Sequence, residues 1–190
     1  GRYLAFAGDA SGADEVWLWS AADGAIRQLT RFGARVEAFS WSPDSQSLAV
    51  AANAAGVFAV FLVHCADGRT TRLTHGANYA VYPTFTPDGA RILYVRLDQT
   101  WRDHEVVSID LTGGDERVVL TDTDFFDYHY GRSFGYPRVS ADGRTFHFRS
   151  QRSGWTEIWL GAADGQAEPQ QLAPAEADQS DPAWSPDGSR

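Results

Sequence analysis

Four short turns recur along this chain, and their spacing limits its fold more than any other feature. They are Trp41-Ser42-Pro43-Asp44-Ser45, Phe85-Thr86-Pro87-Asp88-Gly89, Val139-Ser140-Ala141-Asp142-Gly143 and Trp184-Ser185-Pro186-Asp187-Gly188. Their aspartates stand 44, 54 and 45 residues apart. After each of the first three aspartates, apolar residues follow at the fourth and sixth positions: Leu48 and Val50, Ile92 and Tyr94, Phe146 and Phe148. Alternation with period two is the signature of a half-buried strand. Leu4 and Phe6 fit the same frame at the start of the chain, with Gly1 in the place of the turn glycine.

A second mark repeats within each unit. Ala22-Asp23-Gly24, Ala66-Asp67-Gly68, Thr112-Gly113-Gly114 and Ala163-Asp164-Gly165 separate apolar runs, as hairpin turns that need positive φ do. A short run follows each and closes on Gln28-Leu29-Thr30, Arg72-Leu73-Thr74, Val119-Leu120-Thr121 or Gln171-Leu172-Ala173. Each unit thus reads as four strands. Strand a precedes the Pro-Asp-Gly turn and strand b follows it. Strand c is the aromatic or β-branched run, such as Glu15-Val16-Trp17-Leu18-Trp19 or Glu157-Ile158-Trp159-Leu160, and strand d follows Asp-Gly. No stretch has helical periodicity. Four strands per repeat of about 45 residues predict an all-β fold, a β-propeller fragment of about four four-stranded antiparallel blades. The units are expected at about 1–34, 35–78, 79–132 and 133–178, with a further blade starting over 179–190. The first unit lacks its strand a, and residues 181–185 read as the strand a of the further blade.

The unit resembles the TolB-type, WD40-like propeller repeat, through Trp184-Ser185-Pro186-Asp187-Gly188 and Arg27-Gln28-Leu29-Thr30. The segment Arg149-Ser150-Gln151-Arg152-Ser153-Gly154-Trp155-Thr156-Glu157-Ile158-Trp159 is similar to the b–c region of propellers in prolyl oligopeptidase and dipeptidyl-peptidase serine peptidases. That likeness implies a propeller that caps an α/β-hydrolase domain of the same chain and filters peptide substrates by size. The likeness to TolB itself implies instead a periplasmic protein that binds other proteins. A propeller lyase or glycosidase with its site in the central channel is a third reading, since this fold hosts many functions. The chain has no Glu-Glu pair on a helical insertion, which puts strict dipeptidyl-peptidase specificity in doubt for this segment. The expected partners are the remaining blades, the hydrolase domain and a peptide or protein ligand.

Composition narrows the choice further. The net charge is −9 and all 16 basic residues are arginine, a balance that excludes the phosphate neutralisation nucleic acids require. No apolar run approaches the length of a membrane-spanning helix. The one cysteine, Cys65, permits no internal disulfide, and it fits the cytosol as well as a periplasmic protein without bridges. There is no methionine, so we expect a segment of a longer polypeptide.

The motifs that carry chemistry are weak. Gly131-Arg132-Ser133-Phe134-Gly135 has the Gly-x-Ser-x-Gly spacing of a nucleophile elbow, but an elbow joins a buried strand to a helix, and Pro137 opposes a helix here. We therefore expect no catalytic residue in this chain. The segment from Asp122 to Tyr130, in the longest unit, carries Asp124, Asp127 and His129. Its spacing matches neither a Ca²⁺ loop nor a zinc pair, so no metal or other cofactor is expected. In an a-b-c-d blade the b–c and d–a loops share one face, and function concentrates on variable loops held by a scaffold. Trp101, Arg102, Asp103, Asp124, Asp127, His129, Arg152 and Trp155 are the candidates there for facing a ligand or partner. The residues Asp44, Asp88, Gly89, Asp142, Gly143, Asp187 and Gly188 read as structural: Asp accepts backbone hydrogen bonds in tight turns and Gly supplies positive φ.

Overall fold

The computed structural model describes residues 1–54, 56–100, 104–122 and 137–185. Among these, the chain forms fifteen strands and no helix, hence no helix long and apolar enough to cross a membrane. The first blade has three strands, β1 (Tyr3–Gly8), β2 (Glu15–Ser20) and β3 (Ile26–Gln28). The second comprises β4 (Val36–Trp41), β5 (Ser47–Ala52), β6 (Ala59–His64) and β7 (Thr70–Arg72). The third comprises β8 (Tyr79–Phe85), β9 (Arg91–Leu97), β10 (His104–Asp110) and β11 (Glu116–Asp122). The fourth comprises β12 (Arg138–Val139), β13 (Thr145–Ser150), β14 (Glu157–Ala162) and β15 (Gln170–Gln171). Each sheet is a meander in which sequence neighbours pair antiparallel. This is the a-b-c-d order expected for a blade, with strand a missing from the first.

The repeated Asp builds the a–b turn in the same way each time. One oxygen of Asp44, Asp88 and Asp142 accepts the backbone N–H two residues on, from Gln46, Ala90 and Arg144, at 2.9, 3.0 and 3.0 Å. The same oxygen accepts the hydroxyl two residues back, from Ser42, Thr86 and Ser140, each at 2.6 Å. The residue after the Asp takes positive φ: 59° at Ser45, 70° at Gly89 and 74° at Gly143.

Alternation along strand b decides how the blades stack. Leu48 and Val50 of blade 2 pack with Val16 and Leu18 of blade 1. Ile92 and Tyr94 of blade 3 pack with Ala49, Val60 and Leu62 of blade 2. Phe146 and Phe148 of blade 4 pack with Leu93 and Val106 of blade 3. The fourth and sixth residues after each Asp therefore face the preceding blade, and the fifth, Ala49 and Leu93, face the following one. Both phenylalanines are fully buried, and truncating either to Ala costs about 3–5 kcal/mol. Blades also meet through backbone. A β-carbon on Gly68, in the c–d turn of blade 2, would lie 2.6 Å from the carbonyl oxygen of Leu29 in blade 1.

The outer strand is secured by a threonine. Thr30 Oγ1 accepts the N–H of Val16 at 2.8 Å, and Thr74 Oγ1 accepts that of Val60 at 2.9 Å. Blade 4 has Ala173 at this place in the repeat, and Gln179 Oε1 accepts the Ile158 N–H instead, at 3.0 Å.

Residues 181–185 differ from the sequence expectation: they form no strand. A strand a draws its ladder from the strand b that follows the turn, and the described residues stop at Ser185. The backbone nevertheless bends as a strand a does. Asp181 has φ 55° before Pro182, and Tyr82, before Pro83 at the bulge of β8, has φ 56°. In each case the aromatic residue that opens the turn motif stands three positions further on, Trp184 and Phe85 respectively.

Candidate functional site

The loop face is built on the first residue of strand c. Pairing aligns Trp17, Phe61, Val107 and Trp159 across the four blades, since each opposes the residue six after the turn position in strand b. Two residues before these stand Glu15, Ala59, Glu105 and Glu157. Glu15 is 2% and Glu157 is 1% exposed. A buried carboxylate is tolerated only where donors satisfy it, and both have three. Glu15 Oε2 accepts the Thr30 hydroxyl at 2.6 Å and the Phe32 N–H at 2.9 Å, and Oε1 accepts the Gly33 N–H at 2.7 Å. Glu157 accepts the Ser153 hydroxyl, the Gln171 side-chain amide and, at 2.7 Å, the Ala175 N–H. The Ser153 hydroxyl, then the Ala175 amide, hold its carboxyl below the ordinary glutamate range. Glu105 instead takes the guanidinium of Arg96 at 2.7 Å. These carboxylates fasten the d–a connections of blades 1 and 4, and in blade 4 the b–c loop as well.

That b–c loop carries the two described candidates. Gly154, at φ 91°, donates its N–H to Gln151 O at 2.8 Å and closes the turn. The Arg152 guanidinium lies 4.8 Å from the centre of the Trp159 ring and 5.8 Å from that of Phe148. Its charge is directed at aromatic faces within its own blade. Trp155 is 45% exposed and presents its indole to solvent. It is therefore the described candidate that offers an open apolar surface. Trp101, Arg102, Asp103, Asp124, Asp127 and His129 lie outside the described residues, as do Asp187, Gly188 and the Gly131–Gly135 motif. Among the described residues no three His, Cys, Asp or Glu side chains converge as metal ligands do.

The opposite face, which carries the regular turns, holds clefts that no sequence pattern announces. One of about 500 Å³ lies between blades 3 and 4, lined by Asp88, Arg91, Arg117, Asp142 and Asp164. Its arginines are committed to Asp115: Arg91 Nη1 donates to it at 2.9 Å and Arg117 Nη2 at 2.6 Å. Arg91 also donates to the Ser108 hydroxyl at 2.6 Å. Another cleft, between blades 1 and 2, includes Arg27, Trp41 and Cys65. The Arg27 guanidinium donates to the Cys65 carbonyl. Burial pushes the Cys65 thiol up to about 11, which keeps it from acting as a nucleophile.

His147 on β13 is a further buried group without a sequence signal. It is 4% exposed, and neither ring nitrogen has a hydrogen-bond partner. Burial first, and Arg138 second, lower its pKa to about 4, so the ring is neutral near pH 7.

Comparison with known proteins agrees with this architecture. The family model described as the TolB beta propeller domain matches residues 1–187. Dipeptidyl-peptidase 5 of Porphyromonas gingivalis is 26% identical over 136 residues, covering 65% of this chain and 19% of the peptidase. TolB from Acinetobacter baumannii superposes with a TM-score of 0.77 at 18% identity, over 98% of this chain and 44% of that one. A puromycin-hydrolyzing peptidase of Mycobacterium tuberculosis superposes with a TM-score of 0.69 at 18% identity, over 99% of this chain and 34% of that one. The chain thus spans about a fifth of the first relative and less than half of either solved structure. The two superpositions carry the fold alone.

Proposed function

This chain belongs to the TolB β-propeller family, and on that premise we propose that it forms part of the non-catalytic, substrate-gating and interaction propeller of a prolyl-oligopeptidase-type serine peptidase. The observation that carries this reading is the 26% identity over 136 residues with a dipeptidyl-peptidase. The physical arrangement suits the role. Blades stacked through apolar faces and backbone contacts make a stiff wall, while loops tied to Glu15 and Glu157 form one variable rim where peptide or protein could be met. Within that rim we assign ligand contact to Trp155 and to the candidates of segments 101–103 and 124–129. We place the units at about 1–34, 35–78, 79–132 and 133–178, with 179–190 opening the next blade. Catalysis belongs to a hydrolase domain of the same polypeptide.

The test is made on the full-length protein. Proline-containing peptide esters should be hydrolysed, a serine-reactive phosphonate should label a residue outside 1–190, and folded proteins should be refused. Absence of both hydrolysis and labelling removes the peptidase reading. A TolB-like binding propeller is the second reading, supported by the match of the TolB beta propeller family model over residues 1–187. The complete reading frame separates them. A hydrolase domain after this segment supports the first, and a small α/β domain before it supports the second.

A further inference from the structure

The forward side of blade 4 departs from that of the other blades. At the fifth and seventh positions after the turn Asp, blades 2 and 3 carry Ala49 and Ala51, and Leu93 and Val95. Blade 4 carries His147 and Arg149. Residues 173–185 fold over this region and are fastened to β14 and β12. Asp178 accepts the Thr156 N–H at 2.9 Å and Gln179 Oε1 the Ile158 N–H at 3.0 Å. The Gln179 N–H donates to Thr156 O at 2.7 Å, and the Ala175 N–H to Glu157. At the far end Trp184 Nε1 donates to Arg138 O at 2.8 Å, and its ring centre stands 5.8 Å from that of His147.

We propose that the seam between blade 4 and residues 173–185 is opened by acid, with His147 beneath Trp184 as the group that takes up the opening proton. Arg138 is the charge that acts on His147, and it favours that outcome. Arg138 pairs directly opposite it on β12. Arg149, two residues on along β13, is 5% exposed. From β14 the facing residue is Leu160, and from β15 its neighbour is Gln170, so neither strand brings an anion. Residues 173–185 bring Asp178 and Asp181, whose charges act on Arg149. A neutral imidazole against Trp184 carries only the cost of two unpaired ring nitrogens. An imidazolium in the same place is desolvated and meets the positive charge of Arg138. Water relieves it, and water enters once Trp184 lifts.

The sign follows from linkage. Closed, the ring holds its proton only below about pH 4; open, it regains the ordinary value near 6.5. The open state therefore binds more protons between these limits, and closure is lost as pH falls through them.

The test is amide hydrogen exchange on the full 190-residue chain from pH 7 to pH 4.5, corrected for intrinsic rates. Protection of Thr156 and Ile158 should fall roughly 10- to 100-fold. Protection of Val16 and Val60, the same strand c position capped by Thr30 and Thr74, should hold. His147→Leu, which copies Leu93 of blade 3, should leave Thr156 and Ile158 equally protected across the range. An imidazole titration of the unaltered protein by NMR, expected near pH 4 to 5, needs no variant. Constant protection of Thr156 and Ile158, loss in step with Val16 and Val60, pH dependence surviving in His147→Leu, or a His147 titration near 6.5 would each overturn the proposal.

Discussion

Gly113 presses its α-carbon against the backbone of Leu73 in the preceding blade, so that a β-carbon there would stand 2.7 Å from the Leu73 carbonyl oxygen. With φ 78° the same residue also needs the left-handed region. Both requirements fall on one atom that is absent. Gly24 takes a similar φ of 72° in blade 1 with nothing within 4 Å of the added carbon. The two positions separate conformational strain from contact between blades. Gly24→Ala should cost about 1 kcal/mol, and Gly113→Ala about 2 kcal/mol more. Urea unfolding of both variants measures the difference, and equal costs would remove the steric contribution.

Thr74 supplies the acceptor for a buried N–H of Val60. Thr74→Val keeps the shape of the side chain and leaves that donor unpaired, at a cost of about 1–3 kcal/mol. In blade 4 the corresponding cap comes from Gln179, so Ala173→Val should cost much less than Thr74→Val. Chemical denaturation of the two variants compares them.

Glu15 holds three donors at once, and an amide in its place turns a donor toward them. Glu15→Gln should lower stability by about 1–3 kcal/mol and raise amide exchange at Phe32 and Gly33 before the rest of blade 1. Unaltered exchange at these two amides would deny the carboxylate its anchoring role.

The turn carboxylates Asp44, Asp88 and Asp142 are held below the ordinary range by the hydroxyls of Ser42, Thr86 and Ser140, and next by the backbone N–H two residues on. Their folded pKa values lie below the unfolded ones. Their contribution is therefore present above about pH 4 and lost as pH falls through the folded values. Replacing all three with Ser should reduce the slope of urea midpoint against pH between 2 and 4, while leaving the dependence near pH 6 as it was.

The architecture was legible because every blade states it in the same terms. Two kinds of turn need Asp and positive φ at fixed places, and strand b alternates about them, so the period alone places the strands. The candidate site was less legible. Glu15 and Glu157 stood in the sequence at equivalent positions, but a charged residue opening a strand ordinarily points to water. Its burial depends on donors of which all but Ser153 come from residues 14 to 18 positions later, whose approach no local pattern encodes. Arg152 read as a rim residue with a charge to offer, yet its guanidinium is turned onto Trp159 and Phe148. His147 occupies a position filled by Ala49 and Leu93 in its counterparts, and its burial depends on where Trp184 comes to rest. The strand expected over 181–185 has the correct bend and lacks a ladder, because pairing belongs to two segments and periodicity describes one.

Cys65 is buried, with only 6% of its surface exposed. With the thiol pushed up to about 11, iodoacetamide at pH 8 should leave the native protein unmodified and label it fully in urea. Labelling at equal rates in both states would contradict the burial.

Glu15 and Glu157 have one more effect. Each reaches the backbone of its d–a connection, Glu15 through the amides of Phe32 and Gly33 and Glu157 through that of Ala175, and neighbouring side chains share the hold. Substitution or lengthening at the crest of such a loop leaves its base seated. A rim built this way can exchange its recognition chemistry between relatives while the staves beneath it keep their spacing.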